Sequence, residues 1–303
     1  MKSSKTFSDE YDYLKSNIST AIEDRDFKNL PLPPSFLENL FGDNIVESEI
    51  AQIDIDEFFN SFEVEKRDLD SDELFIKDRP RNRFRRMMEE YGRDFFGLYL
   101  PFHYYLKSGK WGIYLFVELI EQRAEELYFE QDKLPGSFHR LHLREMKMLY
   151  YYAVYRHEFF HYQTEVFATN AEVLSEKPLY INYNRYVKEY VRNTEHWLEE
   201  ALAEASVLKS TLVLRRSKLN KEALNAIYKY DLQFMPPGYR DYECKYYGGD
   251  DNAHKHLASQ IIQTRVHPTS LVPKNNTIKK EFDHDYKKVP VYLVRFNKKF
   301  RIQ

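Results

Sequence analysis

The sequence is poor in residues that would cross-link the chain or keep it from forming a hydrophobic core. Among its 303 residues there is one cysteine, Cys244, so no internal disulfide can form. Only nine glycines and twelve prolines are present, which excludes collagen-like and low-complexity chains. Hydrophobic residues make up 43% of the chain, enough to bury a core without covalent or metal staples. We therefore predict a globular protein.

Long hydrophobic runs are also missing. No stretch approaches the roughly 18 consecutive apolar residues of a membrane span, and the mean hydropathy is −0.68. The first residues of the sequence contain no apolar run typical of a signal peptide. Together with the single cysteine, these features predict a cytoplasmic protein with no membrane partner.

Positive charge is not concentrated enough to indicate a nucleic-acid partner. The net charge is −3, and residues 1–80 carry 9 Lys and Arg against 20 Asp and Glu. Basic residues cluster at 79–86 and again in the last thirty residues. A nucleic-acid-binding surface usually shows a strong basic stripe. We interpret the two basic clusters as solvated faces or as contacts for the acidic front of the chain.

Turn signals and hydrophobic periodicity predict a helix-rich α+β fold in three parts. Residues 1–90 are predicted to form an acidic accessory segment, residues 91–240 the core of the fold, and residues 241–303 a C-terminal subdomain with a basic tail. The expected elements are a strand at 95–105, an ambiguous segment that becomes helical at 111–131, helices at 141–174 and 184–208 with a break near 193–194, and a strand at 289–296.

One motif contains residue types that can bind a metal ion and activate water. Residues 157–161 read H-E-x-x-H within the predicted helix 141–174. Residues four apart lie on the same face of a helix, so His157 and His161 can direct both imidazoles at one metal ion. Glu158 would flank that ion and take a proton from a metal-activated water. The alternative is a pair of packed core histidines without a metal.

A catalytic zinc needs a third protein ligand and one open position. Glu165 is eight residues beyond His157, about 12 Å along the helix axis, and is therefore too distant to complete the same site. The third ligand must come from another part of the chain.

A second stretch suggests where that ligand lies. Residues 197–204 read W-L-E-E-A-L-A-E. With H-E-x-x-H, this stretch resembles the W-L-x-E-G-x-A-E motif of the gluzincin metallopeptidases. The resemblance extends over residues 152–205, with Ala201 in place of the usual glycine and 38 residues between His161 and Glu200. It does not identify a family within the gluzincins.

The resemblance implies a zincin-like core with a small sheet and two motif-bearing helices. It makes Glu200 the third zinc ligand and Glu204 a residue that orients a ligand histidine. Glu199 is the rival of Glu200. A helix turns about 100° per residue, so only Glu200 shares a face with Glu204. By the same resemblance, an edge strand at 97–105 would bind an extended peptide substrate.

Further contacts to substrate or to the transition state remain open. A developing oxyanion needs a hydrogen-bond donor, usually Tyr, His or Arg. The candidates taken from the sequence are His196, Tyr190, Tyr239 and His254.

These observations predict a zinc-dependent metallopeptidase that holds one Zn2+ per chain and cleaves a peptide or protein substrate. Two other classes stay open. One is a catalytically inactive zincin-like module that binds a partner or regulates it. The other is a plain helical interaction protein with a chance motif, in which His157 and Glu200 would lie far apart. The oligomeric state is not predicted.

Overall fold

A 33-residue helix runs through the fold, and the other elements pack around it. The structure is a computed structural model, and it describes residues 49–64, 87–106, 109–134, 140–209, 221–240, 251–263 and 289–295. The basic cluster at 79–86, Cys244, most of the acidic front and most of the basic tail lie outside the described residues. The proposed boundaries near 90 and 240 remain predictions.

Helices dominate the described residues, and four strands form one sheet. The helices are α1 (Ile55–Val64), α2 (Phe102–Tyr105), α3 (Val117–Phe129), α4 (Leu143–Ser175), α5 (Leu179–Tyr183), α6 (Leu198–Lys209), α7 (Lys221–Leu232) and α8 (Asp251–Gln263). The strands are β1 (Glu49–Ile53), β2 (Gly97–Leu100), β3 (Gly112–Phe116) and β4 (Val291–Arg295). The predicted helix-rich α+β class is confirmed. Within these ranges no helix has both the length and the apolar composition needed to cross a bilayer.

The sheet has the order β1-β4-β3-β2. β4 pairs antiparallel with β1 and parallel with β3, and β3 pairs antiparallel with β2. Gly97 lies opposite Leu115 in the β2–β3 register. β2 is therefore an edge strand of the described sheet, and it also packs against α4.

The strand predicted at 95–105 is only partly correct. A 3-10 turn at Gly92–Phe95 precedes β2, and a single helical turn, α2, follows it. Pro101 separates β2 from α2 and has no N–H to donate to a strand partner. The next two N–H groups, of Phe102 and His103, donate to the Glu165 carboxylate instead of continuing the sheet.

The other long elements follow the sequence predictions. α4 covers the helix expected at 141–174. The segment at 111–131 divides into β3 and α3, and the strand expected at 289–296 is β4. The block at 184–208 is broken as expected, because Asn193 takes a left-handed φ of 59° before α6 begins.

α4 is buried around most of its circumference. It packs against α3, α6, α8, β2 and β3. The face of α4 that carries the two motif histidines is buried and contains Met146, Leu149, Tyr150, Ala153, His157, Phe160 and His161. A helix covered on several sides is held in a fixed position, so residues on α4 are fixed relative to β2 and α6.

A buried charged cluster fastens β2 and α2 to α4. The His103 ring lies between two carboxylates of α4, with Nδ1 2.6 Å from Glu165 Oε1 and Nε2 2.8 Å from Glu172 Oε2. The Tyr99 hydroxyl donates to Glu165, and the Tyr180 N–H donates to Glu172. Both ring nitrogens face acceptors, which is the arrangement that an imidazolium satisfies.

This cluster predicts a pH-dependent stability. Burial acts to lower the pKa of His103, but Glu172 and Glu165 outweigh it and raise that pKa to about 10. The stabilisation is complete below the unfolded pKa of about 6.5 and is lost as pH rises from there towards 10. We expect the unfolding free energy of the native protein, relative to His103→Gln, to fall over this range by up to about 1.4 kcal/mol per pH unit.

Urea unfolding of both proteins at several pH values measures this difference. His196→Gln is the matched control, because its side chain is 72% exposed. A difference between the native protein and His103→Gln that stays constant from pH 6.5 to 10 would contradict the prediction.

Candidate metal centre

The two motif histidines converge as the spacing predicts. Both lie on the buried part of α4, where His157 is 0% and His161 4% exposed. Their Nε2 atoms are 3.2 Å apart. Two ring nitrogens at this separation can both reach a single metal ion between them.

Glu200, on α6, completes a triangle with the two histidines. Its Oε2 lies 3.1 Å from His157 Nε2 and 3.3 Å from His161 Nε2. Ligand atoms about 2.0–2.1 Å from a tetrahedral zinc ion are about 3.3 Å from one another. The three atoms therefore have the separations of three tetrahedral ligands. They also contradict the chance-motif alternative, which places His157 and Glu200 far apart.

The Glu200 carboxylate is buried between basic groups, with Oε2 facing His157 and His161 and Oε1 facing Lys188. It is 0% exposed, and neither of its oxygens has a hydrogen-bond partner among the described residues. Burial acts to raise the pKa of Glu200, but His161 and Lys188 lower it well below its usual value. A buried, ionised carboxylate that faces two imidazole nitrogens has the chemistry of a metal ligand.

Each histidine has a carboxylate at its other nitrogen. His161 Nδ1 is 2.6 Å from Glu199 Oε1, and His157 Nδ1 is 3.2 Å from Glu204 Oε1. A carboxylate at Nδ1 keeps the proton there and leaves the Nε2 lone pair for a metal. The resemblance assigns Glu204 to orienting a ligand histidine, and this role stays a prediction. Glu199 serves the second histidine, a role that sequence reasoning missed because it treated Glu199 only as a rival ligand.

These carboxylates also dominate the electrostatics of the metal-free histidines. Burial acts to lower both imidazole pKa values. For His157, Glu200 and Glu204 outweigh burial and raise the pKa to about 10. For His161, Glu200 and Glu199 raise it to about 9. The site thus favours a positive charge between its carboxylates, which a metal ion would supply in place of protons.

Glu158 lies beside the triangle without being part of it. Its Oε1 is buried and makes no hydrogen bond in the part of the chain that the structure describes. Burial, with a contribution from Asp94, raises the pKa of Glu158 to about 7. A Cβ added to Gly97 of β2 would meet Val154 Cγ1 at 2.5 Å and Glu158 Cγ at 3.4 Å. Glycine at 97 therefore lets the edge strand approach the helix at the position of Glu158.

Asp94 is a fourth group at the centre that the sequence did not indicate. It lies on the 3-10 turn before β2, and its Oδ1 is 3.9 Å from His157 Nε2. One ligand atom each from Asp94, His157, His161 and Glu200 lies within 4.8 Å of the others. The Asp94 side chain is 25% exposed, whereas the other three groups are buried. Asp94 thus marks the side of the centre that solvent reaches.

Glu204 belongs to a buried network of ion pairs and hydrogen bonds that extends away from His157. Arg93 Nε donates to Glu204 Oε1 at 3.2 Å, and Arg93 Nη1 donates to Asp231 Oδ2 at 3.3 Å. Arg123 Nη2 donates to Asp231 Oδ1 at 2.6 Å, and the Tyr150 hydroxyl donates to Asp231 Oδ2. Burial acts to raise the pKa of Glu204, but Arg93 and His157 lower it to about 2. The network joins α3, α4, α6 and α7 to the candidate metal centre.

The four further contact candidates separate into two groups. Tyr239 lies at the centre: its ring stacks on His157 with centroids 5.6 Å apart, and its buried hydroxyl makes no hydrogen bond within the described ranges. His196 and Tyr190 are surface residues, and Tyr190 is 86% exposed. His254, on α8, packs edge-on against Phe160. The structure therefore brings only Tyr239 of these four to the candidate ligands.

Comparisons with models of protein families, with curated proteins and with solved structures found no match. The geometry of the site is therefore what supports a function for this chain.

Proposed function

We propose that this protein is a zinc-dependent metallopeptidase of gluzincin type with a zincin-like core. The observation that carries the proposal is the triangle of His157 Nε2, His161 Nε2 and Glu200 Oε2, with sides of 3.1–3.3 Å. These three residues would hold one Zn2+. Two imidazole nitrogens and one carboxylate oxygen form a ligand set that catalytic zinc sites use, and they leave a fourth position open.

Bound zinc would supply a water of lowered pKa, near 7, and would polarise a substrate carbonyl. The protein's own residues handle the protons. Glu158 is buried beside the ligands, where its carboxylate can accept a proton and return it. Glu199 and Glu204 hold the two imidazoles by Nδ1 and so keep the Nε2 atoms directed at the ion.

The edge strand suggests where a peptide would lie. β2 is an edge of the described sheet and passes Glu158 at Gly97. An extended substrate can add to such an edge by backbone hydrogen bonds, which would place its scissile bond near the ligands. This arrangement supports a peptide substrate over a small metabolite.

The decisive experiment is elemental analysis of the native protein beside Glu200→Ala. We expect about one zinc per native chain and a sharp loss of zinc in the variant, because Glu200 supplies one of three ligands. Glu195→Ala is the matched control, since Glu195 is exposed just before α6. Folded native protein that binds no zinc when zinc is supplied would refute the proposal.

The position of Asp94 beside the proposed ligands raises a second candidate function. If Asp94 fills the fourth position, the centre has four protein ligands, and the protein is a non-catalytic, zincin-like binding or regulatory module. The 3.9 Å from Asp94 Oδ1 to His157 Nε2 exceeds the roughly 3.3 Å between tetrahedral ligands, which supports the open, catalytic centre.

Asp94→Ala distinguishes the two functions. For the catalytic centre, we expect the zinc dissociation constant to change by less than about 10-fold, because Asp94 is not a ligand. For the closed centre, the zinc dissociation constant should rise by more than about 100-fold. This exceeds the usual effect of replacing a residue that only hydrogen-bonds to a metal ligand. A zinc competition titration with a chromophoric chelator measures the difference.

A further inference from the structure

Lys188 is a cation inside the metal centre that the proposed mechanism does not use. It ends a π-helical turn, Asn184–Lys188, which follows α5 directly. The Lys188 side chain is only 21% exposed, and its Nζ is directed at the acidic residues of α6.

The lysine contacts both carboxylates at the start of α6. Lys188 Nζ donates to Glu199 Oε1 at 3.0 Å and lies 3.5 Å from Glu200 Oε1. The Tyr183 hydroxyl donates to the other Glu199 oxygen at 2.7 Å. Glu199 is therefore held on both sides, and Lys188 is fixed beside Glu200.

The two oxygens of Glu200 consequently face different groups. Oε2 is the atom 3.1 and 3.3 Å from the two histidine Nε2 atoms, whereas Oε1 is the atom nearest Lys188. A carboxylate can bind a metal through one oxygen or through both. An ammonium group next to Oε1 favours binding through Oε2 alone, because it attracts Oε1 away from the ion and repels a dication.

We infer that Lys188 is a positioning residue that makes Glu200 a one-oxygen ligand and thereby keeps the fourth metal position open. The inference rests on the proposed function, since it assumes that a metal ion occupies the triangle. It assigns Lys188 a role distinct from that of Glu199, which holds His161. A site without the lysine would let both Glu200 oxygens bind and would raise the coordination number.

The test is the visible absorption of the full-length protein loaded with Co2+, which reports coordination number. Four-coordinate Co2+ absorbs more strongly than five- or six-coordinate Co2+. We expect Lys188→Met to reduce the molar absorbance of the visible bands by about twofold or more. Lys188→Arg should retain the native spectrum, because arginine keeps the cation. Lys177→Met, at an exposed lysine, is the matched control.

The outcomes separate the inference from the proposed function. A native protein that binds no Co2+ or Zn2+ refutes both. A native protein that binds Co2+ and a Lys188→Met variant with an unchanged spectrum refute the inference alone. If Lys188→Met does not fold, a crystal structure of the zinc-loaded native protein decides. Both Glu200 oxygens on the ion would overturn the inference, whereas Oε2 on the ion with Oε1 beside Lys188 would support it.

Discussion

Glu158→Gln is expected to lower peptide hydrolysis by about 10²- to 10⁴-fold while the zinc content stays at one per chain. Glutamine has the size of glutamate but cannot accept the proton. Glu158 contributes no atom to the triangle of His157, His161 and Glu200, so its replacement should leave these three proposed ligands in place. The measurement is kcat/KM on a quenched fluorescent peptide library, with elemental analysis of the same samples.

The control for this variant is Glu176→Gln, an exposed residue just beyond the end of α4. It should retain both activity and zinc. Full activity of Glu158→Gln would show that the mechanism is wrong. Simultaneous loss of zinc and activity would show instead that Glu158 is needed to hold the metal, which would remove its role as the base.

The part of the centre that follows from local helix geometry was predictable from the sequence. The spacing of His157 and His161 places both rings on one face, whatever the rest of the fold does. The turn of about 100° per residue separates Glu199 from Glu200 in the same way. The structure adds that the two adjacent glutamates contact different ring nitrogens. Glu200 faces the Nε2 atoms of the histidines, whereas Glu199 contacts Nδ1 of His161.

Asp94 and Lys188 are brought to the centre by packing between elements that are distant in the sequence. No local sequence pattern therefore indicates them. Asp94 reaches the centre because β2 packs on α4, and Lys188 because a π turn follows α5. Neither residue belongs to a spaced motif. The extent of β2 was mispredicted because an aromatic-rich run favours a strand, whereas Pro101 and the Glu165 carboxylate end it at Leu100.

Arg93→Met is expected to destabilise the metal-free protein by about 3–5 kcal/mol. Arg93 is 0% exposed and pairs with Glu204 and Asp231, which are also fully buried. Removing one partner of a buried ionic network leaves carboxylates without compensation, and the cost is of this size. Methionine has similar bulk, so the loss reflects charge and hydrogen bonds more than a cavity. Urea unfolding of chelator-treated protein measures the change.

The matched control is Arg192→Met, which removes an arginine whose contact with Glu189 is long, at 3.8 Å, and exposed. Such surface pairs contribute about 0–1 kcal/mol. An Arg93→Met effect as small as that of the control would show that Arg123 and His157 satisfy Asp231 and Glu204 on their own. A large effect would instead make Arg93 the group that couples the core to the metal centre, because Glu204 lies between Arg93 and His157 Nδ1. In that case Arg93→Met should also weaken zinc binding, by about 10- to 100-fold, since Glu204 would no longer be fixed behind the ligand histidine.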